Sequence, residues 1–402
     1  MKPRMLFLAA TCFAMRAQPG AEEAVRTYLK EHAVEIKLSE GRLAGPAAGW
    51  FRAEAAKAQF FFLGEEHDVR EIPILAGAIW RELVPFVYKH VAIEAGPWLG
   101  DRLDHFARFG DRSALAQFEA ATWPRLPNNS VPPNSREDLE FYELLGKISG
   151  PHRSSDAPLI WGLDVEYRAT PLLRRLSELS PNAAIRRGAD AVLARVAAAE
   201  KAGARDTGAF RAEIKELSRL MRAPPGSELF KILDALNWRV LKPAEREDRW
   251  LRAELFERQF DTAKKKGEAA PRVMFRFGAY HAARGLMRDF GGPTFANYIA
   301  GRASMERTTM LNVAFINCEG LATGTFPRPC TWEEEEALKP FRAAAAGPWT
   351  LFDVRSLRPL IRRVRLNALQ AYPEGWPYWN LIMSFDAVVL LRNSERSHLP
   401  PN

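Results

Sequence analysis

The stretch Phe60-Phe61-Phe62-Leu63-Gly64-Glu65-Glu66-His67-Asp68 decides the fold class of this 402-residue chain. Its first five residues form an apolar run that ends at glycine, and apolar residues then recur with helical spacing at Ile72, Leu75, Ile79 and Leu83. A short apolar run followed by an amphipathic helix is typical of a buried parallel strand and the helix that crosses back over the sheet. The stretch therefore predicts the first strand–helix unit of an α/β protein.

The same alternation of apolar runs and helical patterns continues along the chain. Further predicted strands lie at 91–93, 159–161, 273–275, 311–315 and 387–391. This order of elements predicts an α/β fold with a mostly parallel central sheet flanked by helices. We expect a single α/β domain that spans residues 18–402.

The segment 170–267 differs from the rest because its pattern is almost wholly helical. Ala-, Arg-, Glu- and Leu-rich stretches are broken at Ser180-Pro181 and at Ala223-Pro224-Pro225-Gly226. Strands resume after it, so we expect a helical insert that caps the edge of the sheet. The turn-rich stretch 123–135 predicts a loop on the substrate side.

The amino-terminal residues 1–17 have the layout of a signal peptide. A basic start precedes an apolar run from Met5 to Met15, with small residues at Ala14 and Ala17. Cys12 gives a faint likeness to a lipoprotein box, but threonine stands where that box has glycine or alanine. We therefore expect cleavage and export to the periplasm or the exterior, in preference to a lipid anchor.

The charge and the hydropathy pattern limit the partners. The formal net charge is +8, and removing the three basic residues of the leader leaves about +5, too little to indicate a polyanion partner. The basic clusters at 264–266 and 362–365 lack interleaved aromatic residues, which favours solvated faces over nucleic-acid binding. No later stretch approaches a transmembrane span. A small-molecule substrate is the expected partner, and the sequence does not fix the oligomeric state.

Two cysteines remain once the leader is removed. Cys318 and Cys330 can close a short loop as a disulfide in an oxidising compartment, and the alternative is two free thiols. No Cys/His cluster indicates structural zinc.

Titratable residues follow four of the predicted strands. They are Glu65 and His67 after the first, Glu94 after the second, Asp164 after the third and His281 after the fourth. Ligands of open α/β sheets bind outside the carboxyl ends of the strands, so we expect the site there.

Glu65 and His67 are two residues apart, so an extended backbone projects them to the same side. A carboxylate beside an imidazole can fix its tautomer or raise its basicity, which makes His67 a candidate general base. Asp68 is expected to cap the following helix. Glu94 can alternatively face solvent, His281 can satisfy a cap or the core, and Asp164 can be a helix cap.

Other chemistries lack their motifs. The chain contains no Gly-x-Ser-x-Gly elbow, no dinucleotide fingerprint and no Walker-type loop. Its serines and cysteines offer no activated nucleophile. A histidine-activated water, with no required cofactor, is therefore the favoured reaction centre.

These residues resemble the superfamily that joins erythromycin esterases, ChaN-like haem-binding lipoproteins and TIKI-type metalloproteases. The shared opening is a strand, Gly-Glu-x(1,2)-His, a helix and a second strand ending in Glu, which resembles 62–68 followed by 91–94. The esterase branch extends the resemblance to 161–164, 246–251 and 385–389. The similarity therefore spans about 60 to 391.

The resemblance implies roles and alternatives for the site residues. In the esterase branch the first histidine is the proposed base, which carries over to His67, supported by Glu65, Glu94 and His281. The single residue between Glu65 and His67 matches the ChaN-like form instead. The arginine that esterases carry about nine residues after the histidine is replaced by Ala76, with Arg70 and Arg81 as approximate substitutes.

Three functional hypotheses follow from this resemblance. The preferred one is a hydrolase of esters, lactones or related acyl compounds, in which His281 or Tyr280 stabilises the oxyanion and Asp164 and Arg70 support the site. The second is a haem- or metal-binding protein that uses His67, His281 or Tyr280. The third is a hydrolase with a divalent ion held by Glu65, His67, Glu94 and His281.

Overall fold

The computed structural model describes residues 19–115, 135–151, 156–166, 168–202, 210–239, 249–287, 292–317, 332–359 and 379–398. The leader 1–17 lies outside these residues, as do Cys318, Cys330 and almost all of the loop 123–135. The disulfide and the signal peptide therefore stay predictions. No helix in the described part of the chain has the length and apolar character needed to cross a membrane.

Eight of the twelve strands in the described ranges form one sheet. The strands are β1 (Val34–Glu35), β2 (Lys37–Ser39), β3 (Arg42–Ala44), β4 (Ala58–Glu65), β5 (Tyr88–Ile93), β6 (Ile160–Gly162), β7 (Arg272–Gly278), β8 (Leu286–Met287), β9 (Gly292–Pro293), β10 (Thr309–Asn317), β11 (Trp349–Asp353) and β12 (Ala387–Leu391). The order in the large sheet is β1-β11-β12-β10-β4-β7-β5-β6. The pairs from β12 to β6 are parallel, and β11 is antiparallel to both neighbours. β2 pairs with β3, and β8 pairs with β9, in two separate hairpins.

The helices flank this sheet. They are α1 (Pro19–His32), α2 (Gly45–Lys57), α3 (Glu71–Leu83), α4 (Pro97–Phe109), α5 (Arg136–Ile148), α6 (Ala169–Glu178), α7 (Ala183–Lys201), α8 (Arg211–Met221), α9 (Glu228–Arg239), α10 (Arg249–Lys265), α11 (Ala279–Ala282), α12 (Phe295–Met305), α13 (Trp332–Ala344) and α14 (Trp379–Ser384). Short 3-10 turns lie at Val84–Phe86, Arg112–Leu115 and Arg355–Leu357. The mixed α/β class and the mostly parallel sheet predicted from the sequence are confirmed.

β4 lies at the centre of the parallel region, between β10 and β7, and every one of its residues is buried. Alternate side chains enter opposite faces of the sheet, which explains why the strand is a continuous apolar run. Phe61 and Leu63 join the core under α3 and α5, whereas Phe60 and Phe62 join the core under α10 and α12. Phe62 stacks on Phe275 of β7 with ring centroids 5.0 Å apart. Each fully buried phenylalanine contributes about 1.5–3 kcal/mol relative to an exposed one.

The described part of the segment 170–267 is helical, and its breaks fall between α6 and α7 and between α8 and α9, as the sequence indicates. Buried residues of α6, α7, α8 and α9 belong to the same core as α4 and α5. Those of α10 belong to the core on the other face of the sheet. The segment therefore contributes helices to both faces, and its role as a cap stays a prediction.

The segment Ser394–His398, which we call the strap, crosses the loop that follows β4. Ser397 donates its backbone N–H to the carbonyl of Asp68 at 3.0 Å, and Arg70 donates its own to the carbonyl of Glu395 at 3.0 Å. The strap also reaches the start of α5, where the His398 ring lies 2.6 Å from Glu137. It thus ties the residues after His67 to the amino end of α5.

Candidate functional site

The site lies at the carboxyl ends of four neighbouring parallel strands. Glu65 ends β4, Glu94 follows β5, Asp164 follows β6, and His281 lies in α11 directly after β7. Parallel strands present their carboxyl ends at one edge of the sheet, so residues far apart in sequence converge there. The structure brings together the four residues predicted as catalytic, with Asp164 beside them.

His67 is held between two carboxylates. Its Nδ1 lies 3.3 Å from Oε1 of Glu65, and its Nε2 lies 3.7 Å from Oε2 of Glu94. The Nδ1 contact is a hydrogen bond, whereas 3.7 Å is too long for one. Its side chain is 19% exposed, so the ring is mostly buried but remains accessible.

These carboxylates determine the protonation of His67. Burial alone would favour the neutral ring, but the hydrogen bond to Glu65 and the charges of Glu94, Glu65 and Asp68 outweigh it. Together they raise the pKa of His67 to about 9. At neutral pH the ring is therefore an imidazolium.

Glu94 connects the two histidines and the backbone of β7. Oε2 of Glu94 accepts the backbone N–H of Gly278 at 2.6 Å, and Oε1 lies 3.3 Å from Nε2 of His281. Burial would raise the pKa of Glu94, but the charges of His281 and His67 hold it well below its usual range. Glu94 is only 5% exposed, so the alternative that it faces solvent is wrong.

Gly278 suits this close approach. A Cβ at position 278 would lie 3.0 Å from Nε2 of His67 and 3.1 Å from Oε2 of Glu94. A side chain at this position would therefore have to push the His67 ring and the Glu94 carboxylate back by a few tenths of an ångström, and glycine avoids that displacement.

Asp164 is buried in a bidentate ion pair with Arg252 of α10. The guanidinium donates from Nε and Nη2 to the two carboxylate oxygens at 2.8–3.1 Å. Asp164 is 1% exposed and Arg252 is 8% exposed. The position before α6 is occupied by Arg168, so the alternative that Asp164 caps that helix is wrong.

We expect Arg252→Leu to lower the free energy of unfolding by about 3–5 kcal/mol, because it leaves the Asp164 carboxylate buried without its cation. Urea unfolding followed by circular dichroism measures the change. Arg258→Leu, on the exposed face of the same helix, is the matched control and should change it by about 1 kcal/mol or less. Equal effects of the two substitutions would show that the Asp164 pair does not stabilise the fold.

The residues that converge do not fit a resident divalent ion. In the described part of the chain, one group of three side chains, Glu94, Asp164 and His281, has candidate ligand atoms within 4.8 Å of one another. This set differs from the predicted one, since both oxygens of Glu65 are taken by His67 and Arg276. Arg252 already occupies both oxygens of Asp164 and places a positive charge where a cation would bind. Coulomb repulsion from that charge opposes metal binding.

Two predicted supporting residues lie at the margin of the site. Tyr280 is 50% exposed, next to His281. Arg70 forms an ion pair with Glu395 of the strap.

Asp68 is not the cap of α3. The cap position is Arg70, which makes no side-chain cap hydrogen bond, and Asp68 has a left-handed backbone with φ 63°. The prediction that Asp68 caps α3 is wrong because contacts with the strap shape this turn. The strap accepts the backbone N–H of Arg70 and donates the backbone N–H of Ser397 to the carbonyl of Asp68.

The sequence reasoning missed two charged residues behind Glu65. Nε of Arg276 donates to Oε2 of Glu65 at 2.6 Å, and its Nη2 lies 2.7 Å from Oδ1 of Asp138 at the start of α5. A signal was present for Arg276, because a charge inside an apolar strand must be paired. The sequence carries no such signal for Asp138, because its partner Arg276 is distant in the chain.

Comparison with known proteins identifies the fold. No established family profile matches the chain, and no curated protein sequence does. Solved structures do: a Bacillus cereus protein is 12% identical with a TM-score of 0.59, covering 94% of this chain and 99% of its own. A succinoglycan biosynthesis protein is 14% identical with a TM-score of 0.58, covering 95% and 99%.

The third structure is a mutant of the erythromycin esterase EreC in its open conformation. It is 13% identical with a TM-score of 0.53 and covers 90% of this chain and 97% of its own. This chain has the erythromycin-esterase fold. The correspondence extends over nearly the whole length of each protein, and at these identities it concerns the fold alone.

Proposed function

We propose that this protein is an exported hydrolase that uses a histidine-activated water to cleave an ester, a lactone or a related acyl compound. The observation that carries the proposal is His67, whose two ring nitrogens face the carboxylates of Glu65 and Glu94 at the carboxyl edge of the sheet. The fold shared with an erythromycin esterase supports the reaction class. Export is supported by the composition of residues 1–17.

The two nitrogens of His67 have different tasks in this proposal. The hydrogen bond from Nδ1 to Glu65 keeps the proton on that side of the ring. Nε2 is not hydrogen-bonded to Glu94 at 3.7 Å, so it is the nitrogen that takes a proton from water. The attacking hydroxide adds to the acyl carbon, and the proton on Nε2 then passes to the leaving alcohol.

The remaining groups stabilise the charge that moves during the reaction. Glu94 stabilises the imidazolium that forms when His67 accepts the proton. His281 or Tyr280 donates a hydrogen bond to the oxyanion of the tetrahedral intermediate. Glu94 lies 3.3 Å from Nε2 of His281 and orients that ring.

The hydrolysis rate is expected to rise with pH towards a plateau above about 9. The reactive form of His67 is the neutral ring, and a pKa of about 9 leaves only about 1 in 100 rings neutral at pH 7. kcat/KM should therefore increase about tenfold per pH unit between 7 and 8. A panel of aryl esters, alkyl esters and lactones, assayed with a chelator present, measures the profile.

Spontaneous alkaline hydrolysis is measured in samples without protein at each pH and is subtracted. A rate that falls through pH 9 would instead make imidazolium His67 the acid and would overturn its assignment as the base. No hydrolysis of any member of the panel at any pH would contradict the proposed function itself.

A further inference from the structure

Arg276 is a buried cation directly behind the proposed site. It lies in β7, where it is paired in register with Leu63 of β4, and it is 4% exposed. Its guanidinium stands 5.0 Å from the ring centroid of Phe141. Removing such a charge from water costs several kcal/mol unless partners compensate, so a cation here requires an explanation.

The contacts of Arg276 lead to His67 through one carboxylate. Nε of Arg276 donates to Oε2 of Glu65 at 2.6 Å, while Oε1 of the same carboxylate faces Nδ1 of His67 at 3.3 Å. On its other side Nη2 lies 2.7 Å from Oδ1 of Asp138. The charges therefore alternate along one buried line from Asp138 through Arg276, Glu65 and His67 to Glu94.

We propose that Arg276 is a positioning residue for the proposed hydrolysis, which keeps Glu65 ionised and aimed at Nδ1 of His67 so that Nε2 is the nitrogen that exchanges protons with water. The inference rests on the proposed function. Glu65 is 3% exposed, and among the residues that the structure describes its carboxylate would keep only the ion pair with His67 if Arg276 were removed. A buried carboxylate with less compensation takes up a proton or turns towards other donors.

The geometry selects arginine for this position. Two donors that diverge from one planar group reach two carboxylates on different elements, Glu65 at the end of β4 and Asp138 in the first turn of α5. The single ammonium of a lysine cannot hold both in that arrangement. Asp138 itself is fixed because its backbone N–H donates to the Ser135 hydroxyl at the cap of α5.

The test uses Arg276→Met and Arg276→Lys in the full chain. Residues that orient a metal ligand from behind typically change activity by about 10–100-fold when they are replaced, and we expect a similar range for the residue behind Glu65. We expect kcat for the best ester of the panel to fall by about 10–100-fold in Arg276→Met, with KM changed by about threefold or less. Arg276→Lys keeps the positive charge and replaces Arg276→Met in the test if that variant does not fold. We expect its kcat to fall by about tenfold.

A double-mutant cycle with Glu65→Gln separates positioning from general damage. If Arg276 acts through Glu65, Arg276→Met lowers kcat strongly in the wild type and by about twofold or less in the Glu65→Gln background. Arg272→Met is the matched control: it lies at the other end of the same strand and donates to the carbonyls of Phe86 and Ala56. It should leave kcat unchanged.

A second readout does not depend on hydrolysis. Nitrogen-15 NMR spectra recorded at one pH measure how fast the Nδ1 proton of His67 exchanges with water. This exchange should be slow in the wild type and in Arg272→Met, because the hydrogen bond to Glu65 protects the proton. It should exchange at least tenfold faster in Arg276→Met and Arg276→Lys. Unchanged exchange in folded Arg276 variants, or equal losses of kcat in both arms of the cycle, would overturn the inference. A protein that hydrolyses no ester but shows the exchange effect would refute the proposed function and retain the positioning role.

Discussion

Replacing His67 with alanine is expected to lower kcat/KM for ester hydrolysis by about 10²–10⁴-fold, the range that a general base contributes. The ring contacts both Glu65 and Glu94, so its loss removes the proton acceptor and disconnects the two carboxylates. Steady-state kinetics above pH 9, on the plateau expected for the wild type, measure the change. Circular dichroism checks that the variant is folded.

His105→Ala is the matched control for this substitution. His105 also lies beside a carboxylate, since its Nε2 is 3.2 Å from Asp111, but that pair is on the exposed side of α4. Its activity should equal that of the wild type. Undiminished hydrolysis by folded His67→Ala protein would refute the role of His67, whatever the substrate.

Glu94→Gln is expected to reduce kcat/KM by about 10²–10³-fold while the protein stays folded. Glutamine keeps the shape of the side chain and can still accept the Gly278 N–H that Glu94 receives at 2.6 Å. It removes the negative charge that faces both His67 and His281. The imidazolium that forms during catalysis then lacks its nearest stabilising charge. The decrease should appear in kcat, because the charge acts in the transition state.

Glu268→Gln provides the comparison at the opposite end of the sheet. Glu268 lies 3.2 Å from Nε2 of His90, a histidine that is 1% exposed and stacks on Trp161. This second carboxylate–histidine pair has the chemistry of the site without its position at the carboxyl ends of the strands. The variant should therefore keep its kcat. Equal losses of kcat in the two glutamine variants would show that a buried Glu–His pair matters here only for stability.

The sequence predicted the six parallel strands because each is a short apolar run bounded by glycine or by a charged residue, as in β4. Both faces of such strands are buried, so the pattern is strong. The antiparallel strands β1 and β11 were not predicted, since β1 has two residues and the β11 residues 349–353 carry partial burial at both ends. Such short strands leave little pattern to detect.

The convergence of the site residues could be predicted because their placement at the ends of strands is visible in the sequence. The partner of each charged side chain is not visible there. Glu65 and His67 are neighbours in the chain, but Arg276 reaches Glu65 across 211 positions. Asp164 was singled out, yet the pairing with Arg252 that commits both its oxygens depends on how α10 crosses the sheet. Asp68 was wrongly predicted to be a cap because a local rule competed with a tertiary contact from the strap.

The loop after His67 is synthesised long before the strap that holds it. The contacts of the strap with residues 68–71 join parts of the chain about 325 positions apart. At a synthesis rate of roughly 5–20 residues per second, about 15–65 seconds pass between the emergence of that loop and the arrival of the segment that holds it. Contacts of such high sequence separation also close late during refolding. Because the strap directly follows β12, the last strand of the sheet in the chain, activity should appear no earlier than the completed sheet, both on the ribosome and in the test tube.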